Sequence, residues 1–186
     1  MGDLVLLTAT GGLLATIFWL GRNQADPLQQ TLVRPALLAL ISLLLLVLTL
    51  DVEARWPFGL TASACLAGIW ESYSGVYILL ASPIRRRSAV DQVRICGIWL
   101  INAVSNLILL NLSALLAYPA TFQWRAGSAS LLDVAYFTVL TFASGGYGDV
   151  LPGTALGKLL AMLTSLCGLT YATILFASLF HRFRED

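Results

Sequence analysis

An all-α membrane protein is the fold class this sequence predicts, and three observations predict it. Of 186 residues, 58% are hydrophobic and only 11% charged, where a soluble domain carries roughly 25% charged residues. Five apolar stretches are long enough, or nearly so, to become membrane-crossing helices, since the hydrocarbon core is ~30 Å thick and a helix rises ~1.5 Å per residue. Between the last two stretches lies a shorter apolar run that ends in a cluster of glycines.

The five stretches are Leu4–Leu20, Pro35–Leu50, Gly59–Ser82, Ile95–Tyr118 and Thr154–Phe180. The first opens on Met1-Gly2-Asp3 without a basic region ahead of it, so it reads as a retained helix and not as a cleaved signal. The second is the shortest, with Arg34 and Asp51 expected at the two interfaces. Ser128–Phe142 is too short to span, and a run of that length between two spans suggests a re-entrant segment. The expected division is a three-helix region over 1–90 and a second domain over 91–186. Basic residues set the orientation. With the amino terminus outside, 8 of the 11 basic residues face the cytoplasm. The Tyr118–Pro152 connection then opens to the outside.

Composition also excludes function classes. A formal net charge of +1 and the lack of a basic block with interleaved aromatics argue against nucleic acid. Cys65, Cys96 and Cys167 all lie inside apolar runs without metal-ligand spacing, and read as small buried side chains. His181 is the only histidine, and no nucleophile–base pair or phosphate-cradling loop accompanies it. Neither an enzyme nor an organic cofactor is expected.

The chemistry sits after the short apolar run. Ser130 is a plausible N-cap for a helix over 129–143, and Ala143-Ser144-Gly145-Gly146-Tyr147-Gly148-Asp149 follows it. Three glycines in four positions remove Cβ atoms where the backbone takes unusual dihedrals. Irregular backbone at membrane depth is tolerated only where it is buried or lines water. A short helix, a glycine-rich loop and a spanning helix over 154–181 together line an aqueous path.

This pattern resembles the pore module of the potassium channel superfamily, whose signature Thr-Val-Gly-Tyr-Gly-Asp follows a pore helix. The resemblance runs without a gap from Tyr136 through Ser144–Asp149, Pro152, Thr154, Gly157 and Lys158 to Gly168, and covers about half the chain. It implies a filter over 144–149 whose backbone carbonyls at Ser144, Gly145, Gly146 and Tyr147 replace the water lost by K+. Gly148 completes the loop, and the Ser144 hydroxyl forms the innermost layer of ligands. One chain supplies one loop, so the resemblance implies a homotetramer around a central axis. Tyr136, Phe137, Thr141 and Asp149 are the implied filter supports, with Tyr136 expected to pack behind the loop and to bond Asp149. K+ in the filter is the only bound species implied.

Two positions depart from the signature. Serine stands for threonine at 144 and glycine for valine at 145. Every carbonyl ligand survives, but packing groups that stiffen the loop are lost. A K+-selective channel is therefore the first expectation. A weakly selective Na+/K+ channel is the second, and a nonconducting regulatory subunit the third. Membrane lipids are the other expected partners, and the plasma membrane the expected location.

Gly168 is placed mid-helix, either as a hinge or as a close-packing residue. Phe176 and Phe180 lie where a hydrophobic constriction narrows a cytoplasmic mouth. Arg85, Arg86 and Arg87 are consecutive, unlike the every-third-residue pattern of a voltage sensor, and read as topology or headgroup residues. Glu71, Asn102 and Asn106 are the intramembrane polar candidates, with a polar seam expected between the third and fourth helices. Such acids are functional candidates by default. If Glu71 is structural glue, Glu71→Gln leaves the pH response of the current unchanged; a lost pH response identifies a proton sensor.

Overall fold

The computed structural model describes residues 56–81, 89–125, 130–146 and 149–183. The first two expected spans and Arg85–Arg87 lie outside the described residues. Four helices and two short strands follow in order. They are α1 (Trp56–Ala81), α2 (Ala89–Ala117), a 3-10 turn at Pro119–Thr121, β1 (Phe122–Trp124), α3 (Leu131–Phe142), β2 (Val150–Pro152) and α4 (Ala155–Phe183).

Two of these helices are long and apolar enough to cross a membrane, over Cys96–Ala117 in α2 and Ala155–Ala177 in α4. Much of their apolar surface is turned outward. Leu159, Met162, Leu166, Leu169 and Phe176 of α4 are each at least 59% exposed. Their spacing of three, four and seven residues puts them on one stripe of the helix. A soluble core helix hides such residues, whereas lipid or further protein can cover them. α1 forms a helix of 26 residues over the third expected span.

The re-entrant run folds as α3, a little shorter than the expected 129–143. Its start follows from its own sequence. Ser130 Oγ accepts the Asp133 N–H at 3.1 Å, and Asp133 Oδ2 accepts the Ser130 N–H at 3.1 Å. This reciprocal capping satisfies two groups that the first turn leaves open. α4 begins in a similar way, with Thr154 Oγ1 accepting the Gly157 N–H at 3.2 Å.

The short sheet is the element the sequence reading lacked. β1 and β2 pair antiparallel, with Phe122 opposite Pro152 and Trp124 opposite Val150. Three-residue strands are at the lower limit of strand length, so no alternation was long enough to read. The ladder continues outward through the Arg125 N–H to Asp149 O at 2.9 Å. At its other end the Gly153 N–H reaches Thr121 O at 2.9 Å. It therefore ties together the two ends of the excursion that contains α3 and the glycine-rich loop.

Packing centres on the crossing of α2, α3 and this ladder. Phe137 of α3 is buried against Phe122 of β1, with ring centroids 5.1 Å apart. Ser130→Ala is expected to lower the stability of the detergent-solubilised protein by about 1 kcal/mol. The measurement is an equilibrium unfolding curve, and Ser130→Asn should retain most of the wild-type value.

Candidate functional site

Three contacts hold α3 at two levels. In its middle, Phe137 packs on Phe122. Beside it, Asn111 Nδ2 of α2 donates to Thr138 Oγ1 at 3.0 Å, and the Thr138 hydroxyl donates to Val134 O at 2.7 Å. Asn111 and Thr138 are both fully buried. At the carboxyl end, Ser165 Oγ of α4 donates to Thr141 O at 3.3 Å. The Asn111–Thr138 bond was missed in the sequence. Asn111 is a mid-span amide, which was a legible signal, but it lies off the Asn102–Asn106–Ser113 stripe.

The way α3 ends determines the start of the loop. The Ser144 N–H bonds Thr141 O at 3.1 Å and the Gly145 N–H bonds Leu140 O at 2.8 Å. Ser144 has φ of 59°. These are the bonds and the left-handed residue of a Schellman cap. A β-branched residue is strongly disfavoured at positive φ. Serine at 144, in place of the threonine of the resembling signature, fits that backbone better. Because the N–H groups of Ser144 and Gly145 turn back into α3, the loop presents its carbonyls elsewhere. Among the described residues, no hydrogen bond is donated to the carbonyls of Ser144, Gly145 or Gly146. Ser144 and Gly146 are exposed, while Tyr147 and Gly148 lie outside the described residues.

The other site candidates are distributed as follows. Thr141 carries the carbonyl that joins Ser144 and Ser165. Tyr136 and Phe137 diverge, as neighbours on a helix must. Phe137 is buried, whereas Tyr136 is 42% exposed on its own chain. Asp149 Oδ1 accepts the Val150 N–H at 3.2 Å, and its carbonyl extends the ladder. Phe176 lies on the exposed stripe of α4. Phe180 falls within α4, but its side chain is outside the described part.

The polar seam takes a particular form. Asn106 is fully buried, and its Nδ2 donates to Asn102 O of its own helix at 2.9 Å. Ser113 likewise bonds Leu110 O at 2.8 Å. The Asn106 amide presses on Gly68 of α1, where an added Cβ would stand 2.7 Å from Oδ1. Glu71, half-buried, follows one turn later. Asn106 thus meets α1 one turn before Glu71, but the side-chain hydrogen bonds of Asn106 and Ser113 run within α2.

Gly168 is buried where α4 crosses the end of α3, and a Cβ there would overlap the Phe142 carbonyl. α4 continues as one helix through this point. Close approach of two backbones is the role this geometry gives Gly168. Gly168→Ala forces the two helices apart, with an expected loss of about 1–3 kcal/mol. Unfolding of the purified variant measures it, and an unchanged midpoint would refute the close-packing role.

Residues 105–185 match the family model described as Ion channel, a little under half of the chain. The match starts inside α2 and runs through α3, the loop and α4, leaving α1 and the first part of α2 outside it. No curated protein and no solved structure matches the chain. This part of the protein is therefore similar to ion channels, a likeness that points to transport.

Proposed function

We propose that the chain is the pore-forming subunit of a homotetrameric K+ channel of the plasma membrane, with Ser144–Asp149 as its selectivity filter. The observation that carries this reading is that, among the described residues, no hydrogen bond is donated to the carbonyls of Ser144, Gly145 and Gly146, while Ser144 and Gly146 are exposed. A backbone carbonyl at membrane depth needs a donor, water or a cation. Four such loops around an axis form rings of oxygens that replace the hydration shell of K+. The ion is the transported substrate and no other cofactor is required. Tyr136, exposed on its own chain, then packs against the adjacent subunit behind the filter.

The exposed stripe of α4 faces the axis and the neighbouring copies, and Phe176 and Phe180 narrow the inner mouth. The cytoplasmic side is the one bearing the arginine-rich loops, so the filter opens outward and the carboxyl terminus lies inside. A second reading, a weakly selective Na+/K+ channel, is favoured by Gly145. This residue presents a carbonyl but no side chain to wedge the loop against its surroundings. A nonconducting regulatory subunit is the third.

The test is the reversal potential of the protein reconstituted in planar bilayers under opposed K+ and Na+ gradients. A potential close to that of K+ is the expected result, and one near zero moves the assignment to the second reading. Gly145→Val is then expected to shift the potential further toward K+. Absence of any cation current from intact tetramers leaves the regulatory reading.

A further inference from the structure

α1 lies outside the ion-channel match, yet it reaches the centre of the pore module. The hydroxyl of Tyr73 donates to the carbonyl of Cys167 in α4. Cys167 immediately precedes Gly168, the residue pressed against the Phe142 carbonyl at the end of α3. Tyr73 also meets Tyr171 edge-on, with ring centroids 6.5 Å apart. Tyr171 in turn lies 6.3 Å from the Phe142 ring. Its own hydroxyl bonds Cys96 O of α2 at 2.5 Å. Phe142 is the last residue of α3, two positions before the first filter ligand proposed above. One tyrosine of α1 is thus joined by a hydrogen bond and a ring contact to the point where α4 supports the pore helix.

From this geometry we infer that Tyr73 is a positioning residue of the pore. It holds α4 at Cys167–Gly168 against the end of α3, and so couples α1 to the opening of the channel. The inference rests on the channel reading for its functional half only. Any bend or shift of α4 at Gly168 moves the Cys167 carbonyl, and that movement must stretch or break the Tyr73 bond. Ile69 adds an apolar contact in the same place, beside Leu107 and Cys167. By contrast, Ser63 spends its hydroxyl on Gly59 O within α1 and is exposed.

The test compares Tyr73→Phe, which keeps the ring and removes the hydroxyl, with Ser63→Ala as a control on the same helix. Two readouts are taken on the full-length tetramer. One is amide hydrogen exchange across residues 165–172, and the other is the single-channel open-to-closed ratio. Tyr73→Phe is expected to speed exchange in that segment and to change the ratio about threefold or more. Unit conductance and reversal potential should stay at wild-type values, and Ser63→Ala should leave all readouts unchanged. Unaltered exchange in Tyr73→Phe overturns the contact. Faster exchange with an unaltered open-to-closed ratio overturns the coupling and leaves a packing role. If the wild-type protein passes no ions, the channel reading fails. The exchange measurement still decides whether Tyr73 holds α4.

Discussion

A helix that stops inside a membrane leaves its last carbonyls without intrahelical donors, and no water is at hand to replace them. The carboxyl end of α3 meets this constraint group by group. Val139, Leu140 and Thr141 carbonyls take the N–H groups of Ala143, Gly145 and Ser144. Thr141 O gains a second donor from Ser165, and the Phe142 carbonyl is pressed onto Gly168. Among the described residues, no donor reaches the carbonyls from Phe142 through Gly146. Closing the helix end and leaving the loop carbonyls without a described donor are therefore one arrangement.

The other end of α3 is secured by different means. There a capping box joins with a two-stranded ladder to fix the approach. The ladder also joins the two ends of the excursion that holds α3 and the loop. Between the two ends, the Asn111–Thr138 bond ties α3 to α2. Interhelical bonds of this sort contribute only about 0.6–2 kcal/mol in membranes. Its value lies in direction, because two buried polar groups that must meet allow α3 few rotations about its own axis. That rotation is what turns Phe137 inward and leaves Tyr136 on the surface.

The surfaces left open are as informative as the contacts. The exposed stripe of α4 and the exposed Tyr136 leave apolar surface that lipid or further protein can cover. α1 is placed differently. It packs along α2 through the Gly68–Asn106 contact and touches α4 near the pore-helix junction. It follows that the helix outside the ion-channel match is anchored to both of the module's long helices. A simple membrane anchor needs no contact with α4.

The sequence by itself determined the helical class, the limits of α3 and α4 to within a few residues, and the place of the loop. It could do so because these depend on local chemistry. Apolar run length sets spans, Ser130 and Thr154 supply caps, and clustered glycines mark an irregular backbone. Tertiary structure alone decided which groups meet. Gly168 read equally as hinge or packing residue, since only the crossing with Phe142 shows what a Cβ would strike. Asn111 and Asn106 are alike in sequence, but one finds Thr138 on another helix while the other bonds its own backbone. Tyr73 gave no local signal at all. Its partner is a backbone carbonyl 94 residues away, and carbonyls are identical at every position until the fold selects one.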